Sequence, residues 1–161
     1  MFIKILILLI ILIIFVIFYE KIVLFLKEDQ KFLYKRKDFL LNIPERKFFE
    51  ELQKIIPNEY VVFPQVLLSS IVKVNSSKKE FWKYQNKINR KTVDFVIFEK
   101  QYLKPIVAIE YDGKTHDKND RKNRDNFINR VLEVSGIKIL HIKHQENIDF
   151  EVVKTNINNL L

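Results

Sequence analysis

An α/β fold, a mixed sheet flanked by helices and preceded by one N-terminal transmembrane helix, follows from three features of the sequence. Residues Ile5 to Tyr19 form an uninterrupted hydrophobic run. After residue 42 the hydrophobic patterns follow the order helix, three strands, helix, strand, helix. Within that order, the strand–helix–strand passage from Ile106 to Ile142 is a crossover that joins parallel strands in a right-handed sense.

The apolar run sets the organisation of the chain. At 1.5 Å per residue, Phe2 to Tyr19 spans roughly 27 Å, slightly short of a bilayer core. Lys4 can snorkel to the headgroups, and Ile22 to Leu26 lengthen the apolar segment. A cleaved signal peptide needs small residues at its cleavage site, but residues 1–60 contain neither Ala nor Gly, so an uncleaved anchor is expected. Only Lys4 precedes the span, whereas Lys21, Lys27, Lys31, Lys35, Arg36 and Lys37 follow it. This asymmetry predicts a single-pass protein with its C-terminal domain in the cytoplasm. The same lysines can lie against anionic lipid headgroups. The predicted division is an anchor over residues 1–22, a basic connector over 23–41 and a folded domain over 42–161.

Each element of the domain has a local cause. Asn42-Ile-Pro-Glu45 supplies an N-cap residue, an early proline and a glutamate three positions on. Phe48, Phe49, Leu52, Ile55 and Ile56 recur at helical spacing, and Pro57 ends the helix. Tyr60 to Leu68 reads as a strand in which Pro64 indicates an edge or a bulge. Ser69 to Asn89 is polar and basic and reads as a variable excursion. Thr92 to Phe98 and Ile106 to Tyr111 are strands joined by a turn at Glu99 to Lys104. Lys118 to Ser135 carries the apolar stripe Phe127, Ile128, Val131 and Leu132, and Gly136 stands where a C-cap glycine belongs. Ile137 to Ile142 is a core strand, and Asp149 to Leu161 a closing amphipathic helix.

The composition narrows the chemistry. The 161 residues include no cysteine, which excludes disulfides and thiolate zinc sites. The formal charge of +8 favours polyanionic partners, nucleic acid or an anionic membrane surface. Lys, Ile and Asn are used heavily throughout, so charge alone adds little weight to nucleic acid.

The informative residues are carboxylates inside apolar strands. Strand alternation puts Val93, Phe95 and Ile97 on one face and Thr92, Asp94 and Val96 on the other. A carboxylate there is costly unless paired or bound to a cation. Ala108, Glu110 and Asp112 share a face in the next strand, so neighbouring strands would gather Asp94, Glu110 and Asp112 at one end of the sheet. Three such carboxylates raise one another's pKa values unless a cation is present, and hard divalent ions take oxygen ligands of this kind. Gly113 lets the chain turn away, and Lys114, Thr115 and His116 follow it. Arg121, Arg124 and Asp125 open the next helix, and cations beside a metal site suit a phosphodiester.

These residues resemble the motifs of the PD-(D/E)XK, restriction-endonuclease-like nuclease superfamily. The resemblance is carried by Val-Asp94-Phe-Val, by Ile-Glu110-Tyr-Asp112-Gly-Lys-Thr-His116 and by Arg124-Asp125. In pattern the chain is most similar to the very-short-patch-repair-like endonucleases and to the bacterial domain-of-unknown-function family 2726, whose members often carry an N-terminal membrane span. The resemblance covers about residues 42–145. It implies a core of helix, three strands, helix and strand, and Mg²⁺- or Mn²⁺-dependent hydrolysis of nucleic acid, DNA before RNA, at the inner face of a bacterial membrane. It makes Asp94 and Glu110 metal ligands, with Glu45 completing the site, and His116 the histidine after the glycine turn. The superfamily's lysine, two residues after the second acidic position, is replaced by Asp112, so Lys114, Arg124 or His116 would take over its part. Arg90, Lys91 and Arg121 are the expected contacts to nucleic acid.

Structural readings stand beside these. Glu45 serves equally as a capping-box residue, and Asp94 could pair with Arg90 or an arginine of the following helix. His116 could be a surface loop residue, and Arg124 and Asp125 could form a solvated salt bridge. His141 and His144 close the last strand and are given no part in the chemistry. Phe81, Trp82 and Tyr84 among lysines read as a cover for core or membrane-proximal surface, with base stacking as the alternative. The same fold without activity would be a nucleic-acid-binding module, or a membrane adaptor that recruits a protein partner.

Overall fold

A computed structural model describes residues 2–26, 33–112, 119–145 and 147–161; the side chains of 24–26 and 119–125 are outside the description. The chain divides into two units, Met1–Asp38 and Phe39–Leu161.

The first unit consists largely of helix α1 (Phe2–Leu26). Its stretch Phe2–Val23 has a mean hydropathy of 3.3. Such a helix is long and apolar enough to cross a membrane, and water would be an unfavourable surrounding for it.

The second unit is a four-stranded sheet in the order β1-β2-β3-β4. Its elements are α2 (Ile43–Ile55), β1 (Tyr60–Leu67), α3 (Leu68–Ile71), α4 (Lys78–Ile88), β2 (Thr92–Glu99), β3 (Pro105–Asp112), α5 (Asn119–Val134), β4 (Lys138–Lys143) and α6 (Phe150–Asn158). The β1–β2 and β2–β3 pairs are antiparallel, while the β3–α5–β4 crossover makes β3 and β4 parallel, as its length predicts. Pro64 lies on edge strand β1, where its missing N–H interrupts no inner ladder.

Helices cover both faces of the sheet. On one face Phe48 and Leu52 of α2 and Val153 and Ile157 of α6 pack against Val62, Phe95, Ile97, Val107, Ile109, Tyr111 and Ile142. On the other, Leu68 of α3, Ile88 of α4, and Ile128 and Leu132 of α5 pack against Val96, Phe98 and Ala108. Phe95 and Ile97 therefore face α2, as alternation requires. Val93 departs from it by joining the cluster under α3–α5. The β1–β2 ladder pairs Pro64 with Phe95 and Val66 with Val93 but skips Gln65, whose backbone is left-handed at φ 51°. The strands are thus irregular on either side of Asp94.

The ends of the elements are set by local chemistry. Asn42 Oδ1 accepts the Glu45 N–H at 2.9 Å, and Asn42 N–H donates to Glu45 Oε2 at 3.0 Å, a reciprocal capping box at the start of α2. Gly136 ends α5 at φ 72°, with the Ile137 N–H donating back to the Leu132 carbonyl.

The stretch read as an excursion over Ser69–Asn89 contains the end of α3 and all of α4. Ile88 is the only buried residue of α4, so its apolar stripe is too thin to stand out from the surrounding lysines. Trp82 is not a core cover: it is 66% exposed and meets Phe81 edge-on at 5.3 Å.

Candidate functional site

The antiparallel register of β2 and β3 pairs Phe95 with Ile109, which sets Asp94 across from Glu110 one step further on. Beyond the last paired residues the Tyr111 N–H has no strand partner in β2, and Asp94 Oδ2 accepts it at 2.9 Å. Half-buried Asp94 is thereby fixed to the neighbouring strand. Glu110 is also half-buried, its Oε1 is shielded from solvent, and its carboxyl hydrogen-bonds Asp94.

Asp112 extends the row to the solvent-exposed end of β3. The parallel β3–β4 register pairs Glu110 with His141 and Asp112 with Lys143. His141 Nδ1 stands 3.2 Å from Asp112 Oδ2, and its Nε2 stands 3.2 Å from Asn129 Oδ1 of α5. Contacts at both ring nitrogens hold the imidazole in one orientation beside the carboxylates. His141, given no role from the sequence, is thus part of the cluster. The signal that could have revealed it is the parallel register, which puts the polar break in β4 beside Glu110.

The electrostatics agree with crowding. Burial is the largest influence on the Asp94 carboxyl and raises its pKa; the Tyr111 N–H opposes this, and the Glu45 charge raises it again. The hydrogen bond from Glu110 lowers it and the Asp112 charge adds a smaller rise, leaving Asp94 above its ordinary value. Among the described residues the ion pairs are Arg46–Glu50, Lys54–Glu51, Lys83–Glu80 and His141–Asp112, and none contains Asp94. An Asp94–Arg90 pair is accordingly not formed.

The donors suit a hard divalent ion in kind, since a cation would offset the burial and the acidic charge that raise Asp94. They are not gathered as a ligand sphere: among the described residues no three His, Asp or Glu side chains are close enough to hold one ion. Two candidate ligands have other partners. Glu45 caps α2, and Asp112 contacts His141. The two observations describe different ranges, because charges act on Asp94 from beyond coordination distance.

The remaining predicted residues are dispersed or outside the description. Arg90 is exposed just after α4, while Lys91 Nζ lies 5.1 Å from the centre of the Phe127 ring. Arg121, Arg124 and Asp125 lie on α5, with side chains outside the described residues. Gly113, Lys114, Thr115 and His116 lie outside the described residues altogether.

Comparison with known families adds one match. The family model named "Protein of unknown function (DUF2726)" covers residues 37–160. The chain belongs to the DUF2726 family. No curated protein and no solved structure matches it.

On the opposite face, this DUF2726 domain has a second polar pair, with Tyr111 Oη 2.6 Å from His144 Nδ1. The pair borders a cleft of about 470 Å³ that is also lined by Lys47, Phe48, Glu50 and Phe150. Tyr111 and Glu110 are consecutive on β3, so His141 within β4 and His144 just after it belong to different faces of the sheet.

Proposed function

We propose that this protein is a membrane-anchored, divalent-metal-dependent nuclease of the PD-(D/E)XK type, facing the cytoplasm from a single N-terminal span. The observation that supports the reading most is the convergence of Asp94, Glu110 and Asp112 at one sheet end, with the Asp94 carboxyl raised by burial and by the charges of Glu45 and Asp112. The charge asymmetry after α1 supports the orientation.

Asp94 and Glu110 would hold the ion, with Asp112 and Glu45 completing or flanking its shell. A divalent cation there would supply a water of lowered pKa and neutralise charge on a phosphodiester. The Tyr111 N–H orients Asp94. Asp112 and Asn129 orient His141, which stands ready to move a proton at the exposed edge of the cluster. His116, Lys114 and Arg124 remain the proposed proton donor and charge-stabilising groups. Asp112 stands where the superfamily has a lysine, and its contact with His141 suggests that this histidine takes part of that role.

The second reading is a nucleic-acid-binding module of the same fold without activity, favoured by the absence of a ready ligand sphere among the described residues. The test is cleavage of labelled single- and double-stranded DNA and RNA by the full chain in non-ionic detergent, with Mg²⁺, Mn²⁺ or EDTA. Metal-dependent cleavage that falls about 100-fold or more in Asp94→Ala supports the nuclease. Folded protein that cuts none of these substrates with either ion refutes it.

A further inference from the structure

Helix α4 has two unlike sides. Phe81, Gln85 and Ile88, at i, i+4 and i+7, turn inward; Ile88 is buried, and Phe81 and Gln85 are partly covered. Lys79, Trp82, Lys83 and Asn86 lie on the exposed side, with Arg90 just past the helix end. Glu80 is the only acid in the helix and is within 3.5 Å of Lys83. Lys83 and Lys87 hold their amines 5.4 and 5.6 Å from the centre of the partly exposed Tyr84 ring. A large aromatic ring, 66% exposed, thus stands on a basic surface.

Such a surface selects among polyanions. A helix that lies in a membrane interface offers an apolar face to the lipid, with its charges on the other side. Here the inward stripe is turned into the protein, and the exposed side is cationic around the Trp82 ring, with Tyr84 at its flank. That combination suits a strand whose phosphates meet the amines and whose unpaired base stacks on the indole. A duplex offers no free base face along its length.

The location is also informative. Ile88 belongs to the cluster under α3–α5, which also holds Ala108, and alternation along β3 puts Glu110 on that same face. From the end of α4 the chain passes through Arg90 and Lys91 directly into β2, where Asp94 is the third residue. The Lys91 amine lies over Phe127 and so connects the end of α4 to α5.

We propose that the exposed side of α4 binds single-stranded nucleic acid, with Trp82 stacking on a base and Lys79, Lys83 and Arg90 contacting phosphates. The strand continues toward the Asp94–Glu110 end of the sheet. This names the substrate class of the hydrolysis proposed above and rests on that reading only for cleavage, since the binding itself needs no metal.

The test uses the full chain in non-ionic detergent with EDTA. The probes are a labelled single strand of about 16 nucleotides, a blunt duplex of the same length, and vesicles rich in phosphatidylserine. Trp82 is the only tryptophan, so its fluorescence reports this surface alone. The expected result is binding of the single strand in preference to the duplex, with quenching of Trp82 and affinity falling steeply with salt. Trp82→Ala weakens binding about 5- to 100-fold, Trp82→Phe retains most of it, and both melt like the parent because the side chain is exposed. Lys79→Gln with Lys83→Gln reduces the salt slope by about 0.7 per lost phosphate contact. Unchanged affinity in Trp82→Ala, an unquenched indole in the bound complex, or equal binding of duplex overturns the proposal. So does a Trp82 response to vesicles but not to the single strand, which would assign the surface to the membrane. Binding without cleavage under metal leaves this proposal standing and removes the nuclease; cleavage with Trp82 uninvolved does the reverse.

Discussion

Two consecutive residues of β3 face opposite surroundings. Tyr111 stacks on Phe48 at 4.5 Å, within an aromatic group that also contains Phe95 and Phe150. Glu110 turns to the other face, against Asp94 and beside His141. Under α2 and α6 the sheet end is closed by rings that gain from burial and stacking. On the other face the same end carries the Glu110 carboxyl, hydrogen-bonded to an Asp94 whose ionised form is disfavoured chiefly by burial. The contrast suggests how a costly polar cluster persists: the strand that bears it is held from behind by an aromatic core, so its charges need not stabilise the fold.

The largest effect expected from this comparison is on the aromatic face. Phe48→Ala should cost about 3–5 kcal/mol of stability, read as a fall in denaturation midpoint. Glu110→Gln, one residue from the ring that Phe48 stacks on, should cost far less. Equal losses would show that the two faces are not energetically distinct.

Next is the sign of the Asp94 effect. Because its carboxyl is held above the ordinary value, the folded chain binds that proton more tightly than the unfolded chain. Stability is therefore lost as pH rises from about 4 through the raised pKa, and the full penalty applies above it. Asp94→Asn should raise the melting temperature in EDTA at neutral pH, with the gain disappearing below about pH 4, while abolishing cleavage. A fall in melting temperature at neutral pH would mean that Asp94 stabilises the fold.

Smaller effects separate the two roles of Glu45. Glu45→Gln retains a side chain able to close the capping box but removes the charge, so it should leave stability within about 0.5 kcal/mol and reduce the pH dependence due to Asp94. Asn42→Ala removes the cap and should cost about 1 kcal/mol without changing that dependence. Melts recorded across pH distinguish the two.

Much of the second unit was legible because its elements carry strong periodicity. Pro64 on an edge, Gly136 after α5 and the Asn42–Glu45 cap each follow from a single residue's chemistry. The pairing of Asp94 with Glu110 was legible for a related reason: a carboxylate in an apolar strand is conspicuous, and neighbouring strands bring two of them together. His141 was not legible, since its role depends on a β3–β4 register that alternation alone does not determine. Helix α4 is hard to read from sequence because Gln85 interrupts its inward stripe, and a Trp82 expected to cover core or membrane-proximal surface is exposed instead.

The most direct test of the carboxylate cluster is the melting temperature of the full chain in detergent as Mn²⁺ or Mg²⁺ is added, compared with Asp94→Asn. The account predicts a rise that saturates with ion concentration in the parent and is absent in the variant, because binding to the folded state alone stabilises it. No rise in the parent, or the same rise in both proteins, would contradict a metal site at Asp94.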